Sequence, residues 1–155
     1  MPLGLGAYFQ QPLAVGTVAP DFAALDHEDR TVRLTDLRGR AIVLIFYPGD
    51  DTRVCTAQLC DFRDRWSVAQ SCSVSILGVN PQGAASHRAF AAKNIFPFPI
   101  LVDRGGRIAA AYHAGGVFVR RTVYGIGSDG RIAFAERGAP EPDRVLSALA
   151  VRPAI

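Results

Sequence analysis

Phe46-Tyr-Pro-Gly-Asp-Asp-Thr-Arg-Val-Cys-Thr-Ala-Gln-Leu-Cys-Asp-Phe-Arg-Asp64 follows the apolar run Ala41 to Tyr47 and leads into a segment of helical character. The run reads as a buried strand, and Pro48-Gly49-Asp50-Asp51 has the composition of a turn. Thr52 is a good helix N-cap, its hydroxyl expected to accept the backbone N–H of Val54 or Cys55. Cys55 then falls in the first helical turn. There the unpaired N–H groups and the positive end of the helix dipole favour a thiolate, the nucleophilic form of cysteine. A lone cysteine is often only a small buried hydrophobe. Here a turn, a cap, a cysteine in the first turn and a second cysteine coincide, and together they point to a reactive thiol.

Cys60 lies five positions after Cys55. On an ideal helix that spacing separates the two Cα atoms by about 8.6 Å, beyond the roughly 7 Å that a disulfide spans without backbone movement. Two readings follow. Either Cys60 packs beneath the helix, or the pair is a dithiol in the folded state and bridges only when the first turns unwind.

Pro48-x-x-x-Thr52-x-x-Cys55 resembles the active-site signature of peroxiredoxins. Within that family, Phe46-Tyr-Pro-Gly-Asp-Asp-Thr together with Cys55-x-x-x-x-Cys60-Asp-Phe-Arg-Asp64 is similar to the Q-type branch, also called bacterioferritin-comigratory protein, of the AhpC/TSA-like proteins. The similarity runs from about Val15 to about Ala150. It implies a thioredoxin-like fold and reduction of hydroperoxides, with Cys55 as peroxidatic and Cys60 as resolving cysteine. Arg53 and Gln58 are the residues of the stretch whose effect the resemblance leaves open; Arg53 adds positive charge near the thiolate.

Outward from this stretch, 155 residues, 49% hydrophobic and 20% charged, suit one globular domain with a substantial core. Residues 1–14 read as an N-terminal extension, Gly- and Pro-punctuated, with Leu3, Leu5, Tyr8 and Phe9 either exposed or docked and the segment expected to fray. Residues 15–155 read as a single domain. The net charge of +3 comes almost wholly from arginine, Lys93 being the one lysine, and the arginines form no block and alternate with no aromatics, so a nucleic-acid surface is not expected. No secretory signal pattern and no run of about 18 apolar residues is present, which gives a cytoplasmic expectation and no membrane partner. In a reducing compartment three cysteines are more readily catalytic than structural.

Ala23 to Leu25, a polar turn at residues 26–30 and Thr31 to Leu34 read as a β-hairpin, and Thr35 to Gly39 as a helical turn. The active-site helix is expected to end near Ala69 to Ser71, with Val74 to Asn80 as a second buried strand. Cys72, just before that strand, matches no metal or redox spacing and reads as structural. Ala84 to Lys93 reads as a helix, and Phe96-Pro-Phe-Pro leads into a third strand. Phe96 and Phe98 read as core, with an apolar collar for an organic peroxide as the other use of their rings. Gly106 to Tyr112 is a short helix. Val117 to Ile126 and Arg131 to Glu136 flank a glycine-bounded turn as an antiparallel hairpin, and Pro142 to Ala150 is a terminal helix. The order of elements gives an α/β class: a thioredoxin-like fold, its central mixed β-sheet flanked by helices, with an N-terminal β-hairpin.

Arg120 and Arg121 are adjacent, and neighbours on a strand point to opposite faces. Counted nine residues back from Gly130, Arg121 falls where the resemblance places the arginine that reaches the catalytic cysteine, and Arg120 reads as a solvated strand charge. His27, His87 and His113 are unclustered and read as surface or loop residues, and no metal-ligand spacing is present. Gly4-Leu-Gly6 and Gly125-Ile-Gly127 lack the rest of a nucleotide loop, so no cofactor is expected.

The resemblance thus implies a thiol peroxidase needing neither cofactor nor metal. Cys55 would attack a hydroperoxide and become a sulfenic acid, and Cys60 would resolve it to an intramolecular disulfide. Thr52 would hydrogen-bond the peroxide, Arg121 would stabilise charge, and Pro48 would shield the pocket. Thioredoxin, or a glutaredoxin, would recycle the disulfide, in a monomer or a homodimer. Two rivals share the fold: a thiol–disulfide oxidoreductase, for which Cys-x-x-Cys is missing, and a peroxide-responsive redox sensor with little turnover.

Overall fold

The apolar run is a strand buried along its whole length, Ala41–Phe46, at the centre of a computed structural model that describes residues 10–150. Each Val, Leu, Ile or Phe so buried contributes about 1.5–3 kcal/mol. In chain order the elements are β1 (Ala23–Leu25), β2 (Thr31–Arg33), β3 (Ala41–Phe46), α1 (Arg53–Asp64), α2 (Trp66–Ser71), β4 (Val74–Asn80), α3 (Ala84–Asn94), β5 (Ile100–Val102), α4 (Arg107–Ala111), β6 (Thr122–Ile126), β7 (Ile132–Arg137) and α5 (Pro142–Leu149). Leu34–Leu37 and Arg104–Gly106 are 3-10 turns.

The main sheet has the order β5-β4-β3-β6-β7, with β3, β4 and β5 parallel and β6 and β7 antiparallel. The β1–β2 hairpin stands apart and touches the edge at the Asp26–Leu101 bridge. Alternate β3 residues feed two cores. Val43 and Ile45 pack with residues of α1, α2, α3 and α5, while Ile42, Leu44 and Phe46 pack with α4 and the hairpin side. The expected α/β class, mixed sheet and N-terminal hairpin are therefore present.

Several boundaries differ from the sequence expectation. The active-site helix breaks at Arg65, whose N–H bonds to Phe62 O at 3.1 Å; this i−3 bond tightens the last turn and ends the i−4 ladder. β6 begins only at Thr122, five residues later than expected. Its partner β3 ends at Phe46, opposite Thr122, and then turns away, so residues 117–121 have no central strand to pair with. Phe96 and Phe98 are core and not a collar: their rings stack at 5.3 Å, and Phe90 meets Phe96 edge-on at 5.1 Å. Cys72 is exposed at the end of α2 and belongs to neither core, so the structural reading fails there.

Leu3, Leu5, Tyr8 and Phe9 lie outside the described residues. Gln10 to Ala14 are bonded to the body of the domain. The Leu13 N–H donates to Tyr124 Oη at 2.9 Å, and Gln10 O accepts from Arg120 and Arg137. Arg120 is thereby bonded to the N-terminal segment and is not the solvated strand charge expected of it.

Candidate active site

β3 delivers the chain to the C-terminal edge of the parallel strands, and the loop Tyr47–Thr52 turns it into α1. Asp51 takes a left-handed φ of 60° in this turn, a conformation that Asp tolerates better than most residues. Thr52 occupies the N-cap position, but its hydroxyl does not cap the helix. It donates to Gly49 O at 3.3 Å, closing the loop on itself, while Thr52 O accepts from the Thr56 N–H at 2.9 Å and the Thr56 hydroxyl at 2.6 Å. A hydroxyl with its proton so used keeps its acceptor lone pairs. Pro48 and Thr52 are both exposed.

Cys55 is the third residue of α1 and only 1% exposed. As at any helix start, the N–H groups of Arg53, Val54 and Cys55 have no intrahelical acceptor. Arg121, just ahead of β6, donates from Nη2 to Cys55 Sγ at 3.2 Å. The guanidinium and the helix N-terminus both stabilise negative charge on that sulfur. Arg53, also expected to bear on the thiolate, is exposed.

Gln58, one turn along α1, holds the arginine. It is 3% exposed; its Oε1 accepts from Arg121 Nη1 at 2.7 Å, and its Nε2 donates to Gly138 O at 3.4 Å. The Gly138 N–H in turn donates to Arg121 O at 2.8 Å. One residue after β7 thus fastens both the arginine backbone and the amide that aims its side chain. No carboxylate forms an ion pair with Arg121 among the described residues, so its charge is directed at the sulfur. The sequence reading left Gln58 open and did not see Gly138.

Cys60 shares the unbroken helix α1 with Cys55, and all three cysteines are free. Cys60 packs half-buried against the core beside Asn94, its Sγ 3.9 Å from Asn94 Oδ1. Arg63, one turn on, donates to Asn94 O at 2.8 Å, so the end of α3 braces the half of α1 that carries Cys60.

Behind the loop lies a polar cluster that sequence reasoning missed. His87 is neither a surface nor a loop residue: it lies in the first turns of α3 and is 0% exposed. Its Nδ1 is 2.6 Å from Asp50 Oδ2 and its Nε2 is 3.1 Å from Asn80 O. Asp50 also receives the Tyr47 hydroxyl at 2.6 Å and the Ser86 hydroxyl at 2.7 Å, and its own N–H donates to Gln82 Oε1. Burial on its own would raise the Asp50 carboxyl, but the bonds from His87, Tyr47 and Ser86 outweigh it and hold the group below its ordinary value. Burial, and then the Asp50 carboxylate, push the Tyr47 hydroxyl well above the usual phenol range. One signal was available in the sequence: His87 precedes Phe90 by three and Ala91 by four positions, the spacing of a common helix face.

A family model described as the AhpC/TSA family matches residues 15–135. Peroxiredoxin Bcp of Bacillus subtilis is 33% identical over 146 residues, covering 88% of this chain and 93% of that protein. Peroxiredoxin Q, chloroplastic, of Triticum aestivum is 40% identical over 93 residues, 60% of this chain; this chain spans 43% of it, and 61% of the Oryza sativa counterparts. Among solved structures, peroxidoxin BcpB of Mycobacterium tuberculosis superposes with a TM-score of 0.83 at 27% identity, covering 90% of this chain and 99% of that one. No helix of the described residues is long and apolar enough to cross a membrane.

Proposed function

Since this chain belongs to the AhpC/TSA family, we propose that it is a thiol peroxidase of the peroxiredoxin type, with Cys55 as the nucleophile. The observation that carries the reading is the 3.2 Å contact from Arg121 Nη2 to Cys55 Sγ at the start of α1. A cation, the helix N-terminus and a buried sulfur meet there, while Thr52 keeps acceptor capacity at the loop mouth.

In the first step the Cys55 thiolate attacks the terminal oxygen of a hydroperoxide. The S–O bond forms and the O–O bond breaks; sulfur is oxidised, and the departing oxygen leaves as water or an alcohol after taking up a proton. Arg121 lies where it can stabilise the charge on that oxygen, and the Cys55 N–H is free to polarise the peroxide. Thr52 accepts a hydrogen bond from the hydroperoxide, and Pro48, lacking an N–H, covers the loop mouth without competing for it. In the second step the Cys60 thiol attacks the sulfenic sulfur, releasing water and leaving a Cys55–Cys60 disulfide. In an intact α1 their Cα atoms stand about 8.6 Å apart, so resolution requires the first turns to unwind. A thioredoxin-type dithiol then reduces the bridge by exchange.

Coupled NADPH oxidation with thioredoxin, its reductase and either hydrogen peroxide or an alkyl hydroperoxide tests the reading. Turnover is expected in the wild type, lost in Cys55→Ser and strongly reduced in Cys60→Ser. Absence of any peroxide-driven oxidation at Cys55, read by mass spectrometry, overturns it.

A further inference from the structure

The catalytic steps above leave His87 unused, although it is a fully buried ionisable side chain near the site. Both of its ring nitrogens face acceptors, a carboxylate oxygen of Asp50 on one side and the backbone carbonyl of Asn80 on the other. A neutral imidazole has a single N–H, so one of these contacts would set a lone pair against a lone pair. The remaining proton belongs on the ring and not on Asp50, because the Tyr47 and Ser86 hydroxyls also donate to that carboxylate and favour its ionised form. The side chains of His87 and Asp50 are 0% and 3% exposed, so the pair is closed to solvent and unavailable to substrate.

What the pair holds is the loop. Asp50 lies midway between Tyr47 and Thr52, and its side chain and N–H reach Tyr47 at the start of the loop, α3 and Gln82 together. Asn80 completes the frame: its Nδ2 donates to Tyr47 O at 2.8 Å, its Oδ1 accepts the Gln82 N–H at 2.8 Å, and its carbonyl receives His87. The same loop carries Pro48 and the Gly49 carbonyl that binds the Thr52 hydroxyl. We propose that His87 is a positioning residue of the peroxidatic site: a buried imidazolium that acts through Asp50 to fix the Tyr47–Thr52 loop in the geometry that receives the hydroperoxide. The proposal rests on the peroxidase reading above.

The role separates from that of Arg121 because it acts on the loop and not on the sulfur. Misplacing a positioned group by about 1 Å costs on the order of 100-fold in rate. His87→Gln, which retains one donor, is therefore expected to slow sulfenic acid formation by hydrogen peroxide about tenfold, and His87→Leu about 100-fold. Both are measured in a Cys60→Ser background so that the sulfenic acid persists. Alkylation of Cys55 by iodoacetamide, which reads the thiolate and needs no peroxide geometry, is expected to stay within about threefold of the parent rate. Equal loss in both reactions, or loss in neither, overturns the proposal. If the Cys60→Ser parent itself forms no sulfenic acid, it is the peroxidase reading that fails and not only the role of His87. Should the variants not fold, 15N NMR of the wild-type imidazole at pH 7 decides: two protonated ring nitrogens at His87 are expected, and a single protonated nitrogen overturns the assignment.

Discussion

Two cations flank the Tyr47–Thr52 loop and its helix, and they are held in opposite ways. Arg121 is oriented by Gln58, a neutral amide, and among the described residues no carboxylate pairs with it. Its charge is left for the Cys55 sulfur. His87 is paired with Asp50 at 2.6 Å, so its charge is met within the protein and only its geometry reaches the site. On the peroxidase reading proposed above, the difference separates a catalytic cation from a positioning one: the group that orients the first does not neutralise it, and the group that orients the second does.

The largest effect should come from removing the unneutralised cation. Arg121→Met is expected to lower the rate of Cys55 oxidation by hydrogen peroxide by about 100- to 1,000-fold, the usual cost of losing one preorganised donor to developing negative charge. Stopped-flow kinetics in the Cys60→Ser background measures it. A loss below about fivefold would erase the distinction between the two cations.

On the other side, Asp50→Asn removes the carboxylate and leaves the buried imidazolium facing an amide. Breaking a buried pair in this way costs about 3 kcal/mol or more, read as a lower urea midpoint. The acid limb sharpens the test. Asp50 ionises below its ordinary 3.8 in the folded protein, so its contribution is complete above that pH and is lost as pH falls through the lower folded value. Wild-type stability should therefore fall more steeply on acidification below about pH 4 than that of the variant.

Gln58→Glu converts the first arrangement into the second by giving Arg121 a carboxylate partner. The added negative charge offsets the guanidinium beside the sulfur, and Cys55 oxidation by hydrogen peroxide is expected to slow, by less than in Arg121→Met, in the same stopped-flow measurement. An unchanged rate would mean that neutrality at position 58 has no electrostatic role.

The smallest effect tests the rim of the same loop. Lys93 pairs with Asp51 at 2.9 Å, but both side chains are more than 60% exposed. Lys93→Ala is expected to change stability by no more than about 0.5 kcal/mol, read as the urea midpoint; a larger loss would mean that the exposed pair also anchors the loop.

The stretch from Phe46 to Asp64 was legible because its signals are local: an apolar run, a turn, a cap position and a cysteine in the first turn. Arg121 was reached by counting back from Gly130, and its Nη2 does meet Cys55 Sγ, although a bulge interrupts the β6–β7 register between Gly125 and Ile126. Gln58 was visible but mute, since nothing local tells that its amide meets a guanidinium 63 positions away. His87 was misread for the same reason. Its partner Asp50 lies 37 positions earlier, and a histidine among alanines and an arginine on a short helix looks exposed until the fold closes over it. Thr52 was assigned the right position and the wrong bond, because whether a hydroxyl donates or accepts depends on where the Gly49 carbonyl falls.

The guanidinium that meets Cys55 is encoded 66 positions downstream, and this has a consequence for the chain as it is being made. At about 5–20 residues per second, Cys55 is added to the chain roughly 3–13 s before Arg121, and Gly138, which fastens that arginine, follows later still. Through that interval the nascent thiol lacks the Arg121 guanidinium. The order of synthesis therefore withholds the Arg121–Cys55 contact until the sheet that carries Arg121 can close.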